Sequence, residues 1–350
     1  MTGEWTEDDA VRLSVLDQSP VISGCSPAQA VHETIRLAQA AERLGYHRYW
    51  LAEHHALAAL ADPCPEILVT RIAAETSTIR VGTGGVLLPY YSPFKVAEQF
   101  RMLEALYPGR IDLGIGRAPG GDRMTALAMG EGRYPTAENF PEQVQYLVAY
   151  LDDAIPAGHP FAGVKAMPAG PGAPQVWLLG SSDYSGALAA QLGLRFAFAH
   201  FISAEGGDAV MRDYKRAYQS SEREPDPHSL LCVFVICAES AKEADRFSGS
   251  IALRRLNTDR GINAPVPNHE EVESFPYTEA DRRRIAHHQR RVVCGTPETV
   301  RDRLLKLRDD YGADEMMIIT ITGDYESRLR SYELLAGAFK LCQPETAPVR

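Results

Sequence analysis

Eight short apolar runs, each followed by a segment with apolar residues at helical spacing, extend from residue 12 to residue 339. The runs are almost continuously apolar, as are parallel strands that are covered on both faces of a sheet. The predicted strands cover residues 12–17, 48–53, 79–84, 110–116, 175–180, 195–201, 229–238 and 315–320.

The helical segments between these strands carry start and stop signals. Ser26 and Pro27 are suited to the N-cap and first position of one helix, and Thr296 and Pro297 to those of another. The predicted helices cover residues 26–45, 65–77, 94–107, 138–152, 184–193, 206–220, a segment from 241, 296–312 and 325–339.

Strands that each precede a helix predict a (β/α)8 barrel, the TIM barrel. Two successive doubly wound domains would give the same alternation, but no linker-like change in composition occurs near the middle of the chain. We therefore expect a single domain over residues 1–350. An irregular stretch with three prolines, which ends at about residue 293, precedes the last helix–strand–helix segment.

The charge pattern argues against nucleic acid as a partner. The net charge is −10, whereas a protein that binds the phosphate backbone needs a basic patch. Arginines do gather at residues 282–291, but acidic residues at 270–281 lie beside them, so we interpret this region as a solvated, charged insertion.

No membrane or secretion signal is visible in the sequence. The acidic start "MTGEWTEDDA" lacks the pattern of a signal peptide, and no apolar run reaches 18 residues, so we expect a cytoplasmic protein. The six cysteines have no C-x-x-C spacing. We expect buried thiols rather than zinc ligands or disulfides.

Chemistry in such barrels takes place at the carboxyl ends of the strands. The segment "YWLAEHH" (49–55) delivers Glu53, His54 and His55 to one of these ends. Adjacent residues of a strand point to opposite sides, so the two histidines are poorly placed to share a metal ion, and we expect no metal site. A hydrogen-bonded structural histidine explains His54 alone equally well.

Two glycine-rich segments and one serine-rich segment follow other strands. "GTGG" (82–85) and "GIGRAPGG" (114–121) do not match the dinucleotide-binding G-x-G-x-x-G, but they would let the backbone lie flat against a ligand. "GSSDYSG" (180–186) opens a helix and offers hydroxyls and free N–H groups for a phosphate. Ordinary helix capping by Ser182 or Asp183 is the alternative interpretation.

Several separate blocks of the sequence together resemble the bacterial luciferase-like flavin monooxygenase family, most closely its single-subunit branch. The blocks are "LAEHH", "RVGTGGVLLP", "SPFKVAEQFRMLEALYPGRIDLGIGRAPG", "PQVWLLGSSDYSGALAAQLGLRFAFAHF" and "VVCGTPETVRDRL". They occur in order from about residue 12 to about residue 340, with an insertion at about 250–292 before the last βα unit.

The resemblance implies a TIM barrel that binds FMN, or the deazaflavin F420 in one branch, at its mouth. It implies that His54 is the active-site histidine, and that Gly84 and Gly85 stand where the family often has a non-proline cis peptide. The implied cofactor-binding residues are Glu53, Gly84, Gly85, Arg117, Gly180, Ser181, Ser182 and Ser185.

The function that the resemblance implies is a flavin-dependent monooxygenase, which uses reduced FMN from a separate reductase and O2 to oxidise a small organic substrate. An F420-dependent hydride-transfer enzyme and a non-catalytic flavin-binding protein are the alternatives. The loop after the fourth strand and the 250–292 insertion depart from the luciferase subunits, so light emission is not expected.

A homodimer is expected through the predicted helices 65–77 and 94–107, where family members commonly pair. These helices carry more apolar residues than one inward face requires, among them Ile67, Leu68, Val96, Phe100 and Leu103.

Overall fold

The computed structural model describes residues 11–117, 120–134, 138–170 and 172–341. Its centre is a closed barrel of eight parallel strands, so the predicted TIM barrel is confirmed. The strands are β1 Leu13–Asp17, β2 Arg48–Leu51, β3 Arg80–Leu87, β4 Ile111–Gly116, β5 Gln175–Gly180, β6 Arg195–Ala199, β7 Ser229–Cys237, β8 Val292–Gly295 and β9 Glu315–Ile319.

The barrel closes because β1 pairs with β2 on one side and with β9 on the other. The first half of β7 lies between β6 and β9, whereas β8 pairs only with the last part of β7. All eight predicted strands are therefore barrel strands, and β8 is an additional strand at the edge of β7.

Helices surround the barrel. They are α1 Pro27–Arg43, α2 Pro65–Glu75, α3 Pro93–Leu106, α4 Arg123–Met129, α5 Phe140–Leu151, α6 Asp183–Gln191, α7 Gly207–Ala217, α8 Ala241–Asp259, α9 His269–Ser274, α10 Glu279–Gln289, α11 Pro297–Tyr311 and α12 Tyr325–Ala338. None of the helices within the described ranges is both long enough and apolar enough to cross a bilayer.

The helix start signals act as the sequence predicts. The Ser26 hydroxyl accepts a hydrogen bond from the N–H of Gln29, and Thr296 accepts one from Thr299. Both side chains satisfy N–H groups that have no partner within the helix.

The region before β8 is more regular than the sequence suggested. Helices α9 and α10 lie in the stretch interpreted as irregular, and each begins with a capping box, formed by Asn268 with Glu271 and by Thr278 with Asp281. Local caps therefore start these helices although the segment has few apolar residues.

The described cysteines form no disulfides, but not all of them are buried. Cys232 and Cys237 are buried, whereas Cys64 is exposed. Cys342 lies outside the described residues. The expectation of uniformly buried thiols is therefore wrong at Cys64, which stands in the loop before α2 rather than on a strand.

A buried ionic cluster closes the amino-terminal end of the barrel. The guanidinium of Arg48 donates to Asp112 at 2.6 Å and to Glu315 at 2.8 Å, and the indole N–H of Trp50 donates to Asp112 at 2.8 Å. Arg48 and Arg80 hold the pKa of Asp112 below its usual value despite its burial. The charges of Arg48, Asp112 and Glu315 are thus paired and hydrogen-bonded to one another. The cluster therefore forms a rigid floor below the barrel mouth.

Candidate active site

A cavity of about 260 Å³ opens at the carboxyl ends of the barrel strands. Every strand of the closed barrel, or the loop that follows it, contributes to the cavity wall. The residues that the resemblance implied all line it, namely Glu53, His54, Gly84, Gly85, Arg117, Gly180, Ser181, Ser182 and Ser185. The fold thus brings them together, while their contacts with a ligand stay a prediction.

His54 follows β2 and is held in place through its backbone, whose N–H donates to the Asp62 carbonyl at 3.0 Å. Burial, reinforced by the positive charge of Arg254, lowers the pKa of His54 to about 4, and the Ala52 carbonyl opposes this only in part. Nδ1 is buried and has no hydrogen-bond partner of normal geometry among the described residues. The imidazole is therefore neutral near pH 7. Nε2 is not buried in this way and makes no hydrogen bond to a described residue, so it is the ring nitrogen available to a ligand.

Asp62 supports the loop that carries His54, a role that no pattern in the sequence indicated. Its carboxylate accepts a hydrogen bond from the N–H of Cys64 at 3.1 Å, and its side chain is almost completely buried. Burial raises the pKa of Asp62 to about 7, since no cation pairs with it among the described residues.

Glu53 also lines the cavity, but both of its carboxylate oxygens are already engaged by the chain itself. Oε2 accepts from the N–H of Leu87 at 2.9 Å, and Oε1 accepts from the hydroxyl of Tyr91 at 2.6 Å and lies 2.7 Å from Nε2 of His55. Glu53 therefore joins the end of β2 to the end of β3, which indicates support of the wall rather than a free ligand contact. The ring of His55 therefore points to this carboxylate.

Gly84 and Gly85, in the second half of β3, form a wall without room for side chains. The peptide bond between Gly84 and Gly85 is cis, at the place where the resemblance implied it. A Cβ on Gly85 would lie 2.3 Å from a methyl group of Leu179 and 2.5 Å from the carbonyl oxygen of Gly114. Because only backbone fits here, this part of the cavity is flat.

The serine-rich segment begins α6, as predicted, but Ser182 does not cap the helix with its side chain. No described residue bonds the hydroxyls of Ser181 and Ser182, and Asp183 accepts only from the N–H of its neighbour Tyr184. Arg117, at the end of β4, lies with its guanidinium 4.5 Å from the centre of the Tyr184 ring. A cation, free hydroxyls and the positive end of a helix thus meet at one edge of the cavity.

Apolar residues that the sequence reasoning did not identify complete the wall. All but Phe198 come from inward-facing positions, which alternate along each strand. Because the strands are apolar on both faces, the sequence alone could not distinguish these positions from the outward-facing ones. These residues include Leu16, Trp50, Leu179, Ala197, Phe198, Leu230, Cys232 and Met317.

The segment between α8 and α9 is hydrogen-bonded to the loops that follow β1 and β2. The N–H of Val266 donates to the carbonyl of Val21 in the loop after β1, at 2.8 Å. The side chain of Asn263 donates to the Ala56 carbonyl at 2.9 Å and accepts from the Ala58 N–H at 2.7 Å. The insertion is therefore fastened to the loop that begins with Glu53 and His54.

Comparison with known proteins places this geometry in one family. Residues 11–315 match the family model described as luciferase-like monooxygenase. The uncharacterized protein YwcH of Bacillus subtilis (strain 168) is 46% identical over 330 residues, which cover 94% of this chain and 99% of that protein.

A relative with a named activity and a solved structure support the same family. The N-acetyl-S-alkylcysteine monooxygenase of Bacillus subtilis (strain 168) is 35% identical over 331 residues, which cover 94% of this chain and 98% of that protein. The crystal structure of apo-MsnO8 has a TM-score of 0.88 at 42% identity and covers 95% of this chain and 99% of its own. The chain therefore belongs to the luciferase-like monooxygenase family and is an oxidoreductase.

Proposed function

We propose that this protein is a flavin-dependent monooxygenase that uses reduced FMN and O2 to oxidise a small organic substrate. One observation carries the proposal. A single cavity at the barrel mouth is lined by three features. They are a flat wall of glycines, an edge whose cation and hydroxyls suit a phosphate, and an imidazole with a free ring nitrogen.

The residues present suit FMN. The backbone of Gly84 and Gly85 leaves a flat surface for a planar ring system, and any Cβ there would collide with its neighbours. Arg117, Ser181, Ser182 and Ser185 would hold the phosphate, since their cationic and hydroxyl groups and the start of α6 suit an anion.

Bound reduced FMN would supply the electrons with which O2 is activated, and the protein supplies binding, orientation and a dry surrounding. Trp50, Leu16 and Met317 present apolar surface to the cavity and would exclude water. Neutral His54 would accept a proton at its free ring nitrogen, beside the reacting atoms. A separate reductase would deliver the reduced flavin.

The test is an anaerobic equilibrium titration of the full chain with FMN, reduced FMN and F420, followed by addition of O2 and a substrate. N-acetyl-S-methylcysteine is the first substrate to try, because a relative at 35% identity is named for oxidising an N-acetyl-S-alkylcysteine. We expect tightest binding of reduced FMN and a product that carries one oxygen atom from O2.

Other outcomes separate the alternatives. If F420 binds most tightly and reduced F420 reduces a substrate, the protein is a hydride-transfer enzyme that uses the same site. Tight retention of oxidised FMN without turnover of any substrate would indicate a flavin-binding protein.

We also propose that the protein is a homodimer through the outer face of α2 and α3. Leu68, Val96 and Phe100 are buried in the protomer itself and do not line this face, whereas Leu103 is buried but lines the groove between the two helices. Ile67, Met102 and Leu106 are instead 65%, 52% and 54% exposed and lie around one groove between the two helices. Such a cluster on a surface is typical of a protein interface.

We expect sedimentation of the wild-type protein at micromolar concentration to show a dimer. The double variant Ile67→Glu, Leu106→Glu should sediment as a monomer, because two charges on each subunit would have to be desolvated in the interface. Phe161→Glu is the matched control, since Phe161 is equally exposed but lies outside the groove. A monomeric wild-type protein would show that the proposal is wrong.

A further inference from the structure

One face of α8 packs against β7 and the apolar cluster that extends into the barrel. Ile251 packs in the apolar cluster inside the barrel, together with Trp50 and Met317, which line the cavity. Arg254 and Arg255 follow three and four residues later, so they lie on the same face of the helix as Ile251. The guanidinium of Arg255 indeed lies 5.0 Å from the centre of the Phe234 ring, which faces the barrel interior.

Arg254 has no partner for its charge. Within the described ranges it makes no hydrogen bond, ion pair or ring contact, although its side chain is only partly exposed. Two arginines that are almost fully buried, Arg48 and Arg328, are instead paired with the carboxylates of Asp112 and Asp17. Burial lowers the pKa of Arg254 to about 10, so the guanidinium is still charged at neutral pH.

The surroundings of Arg254 add positive charge rather than neutralise it. Among the side-chain hydrogen bonds to residues that the structure describes, Arg255 donates only to the carbonyl of His288. Arg291 donates to the carbonyl of Ile202 and bonds the ring of His288. Ile202 lines the cavity. Since a poorly solvated cation without a partner costs stability, a cluster of this kind is expected where an anion binds.

The anion is not the phosphate that we assign to the edge near Arg117. Arg117 and the serines follow β4 and β5, and strand β6 separates β5 from β7, which precedes α8. The cluster lies instead beside β6 and β7, because Arg291 donates to the carbonyl of Ile202, which follows β6 and lines the cavity. In the closed barrel β6 stands across from β2, the strand that carries His54 at its end, so the cluster is on the side of the mouth that faces His54. In keeping with this position, the positive charge of Arg254 lowers the pKa of His54.

We propose that Arg254 binds a carboxylate group of the substrate beside His54, so that the natural substrates are small organic acids. This inference rests on the proposed function, because it assigns the substrate class of the same cavity. Arg255 and Arg291 raise the local positive potential, and Arg254 makes the contact.

The test compares N-acetyl-S-methylcysteine with its carboxamide, which has the same shape but no charge. Binding of each to the full chain loaded with oxidised FMN is measured by calorimetry, which requires no turnover. We expect the wild-type protein to bind the acid about 10-fold to 100-fold more tightly than the amide, the usual effect of a hydrogen bond between charged groups.

Three variants make the result specific. Arg254→Met should remove the preference for the acid, and Arg254→Lys should retain part of it. Arg246→Met on the same helix should leave the preference unchanged, because Arg246 is paired with Glu273 at the surface. Arg254→Met removes a charge that has no partner, so its melting temperature should be no lower than that of the wild type.

Two results would overturn the inference. The first is an acid that binds the wild-type protein no more tightly than the amide, including the case in which neither binds at millimolar concentration. The second is an Arg254→Met variant that keeps its preference for the acid but loses affinity for reduced FMN, since the cation would then serve the flavin. Failure of the proposed function is distinguishable, because the protein would then not bind FMN. In that case the affinities of the acid and the amide can still be compared on the flavin-free protein.

Discussion

Replacement of His54 by alanine is expected to slow substrate oxidation by about 10²-fold to 10⁴-fold, the usual contribution of a positioned acid or base. Its side chain ends at the cavity wall, and Nδ1 has no partner among the described residues, so no structural hydrogen bond is lost. Folding and FMN affinity should therefore be preserved. Anaerobically reduced FMN–protein is mixed with O2 and substrate, and the oxidised product and hydrogen peroxide are measured for each flavin oxidised.

The expected result is uncoupling, in which the His54→Ala variant consumes O2 but releases most of it as hydrogen peroxide. His55→Ala is the matched control, because His55 lies 2.7 Å from Glu53 and helps to fix the end of β2. This second variant should lose thermal stability and retain the ratio of product to peroxide. Equal coupling in His54→Ala and wild-type protein would contradict the proposed role of the imidazole.

The double variant Ser182→Ala, Ser185→Ala is expected to bind FMN about 10²-fold to 10⁴-fold more weakly, because each lost hydrogen bond to a charged group is worth about 1.5–3 kcal/mol. Both serines line the cavity at the start of α6, and the Ser182 side chain makes no capping bond that its loss would break. Fluorescence titration of FMN and riboflavin measures the effect.

Riboflavin is the control ligand for this variant, because it has the same ring system and no phosphate. Its affinity should change little. An equal loss for both ligands would mean that the serines shape the ring site, and Arg117→Met would then be the variant with which to locate the phosphate.

Much of the fold could be predicted because each barrel strand coincides with a short apolar run in the sequence. Strand β8 was missed because its four residues follow the charged residues Arg290 and Arg291 and pair only with the end of β7. Helices α9 and α10 have almost no apolar periodicity, yet their capping boxes, Asn268 with Glu271 and Thr278 with Asp281, were visible as local signals.

The site could be predicted in position more readily than in detail. Strand ends and the resemblance indicated which residues gather at the mouth, but the partners of Glu53 are distant in sequence. Tyr91 reaches Glu53 from the segment before α3, 38 residues later. Arg254 was unrecognisable for a related reason, since an arginine without a partner can be identified only once every neighbouring carboxylate has a position.

The contacts of Asn263 have a consequence for protein engineering. Its side chain bonds the backbone at Ala56 and Ala58, so the segment between α8 and α9 and the loop that carries His54 form one hydrogen-bonded unit. A chimera that receives only residues 260–268 from a relative would break this match and displace the imidazole together with the substrate pocket. Residues 53–62 and 260–268 should therefore be exchanged as a pair, and substrate range and proton transfer in such chimeras will vary together.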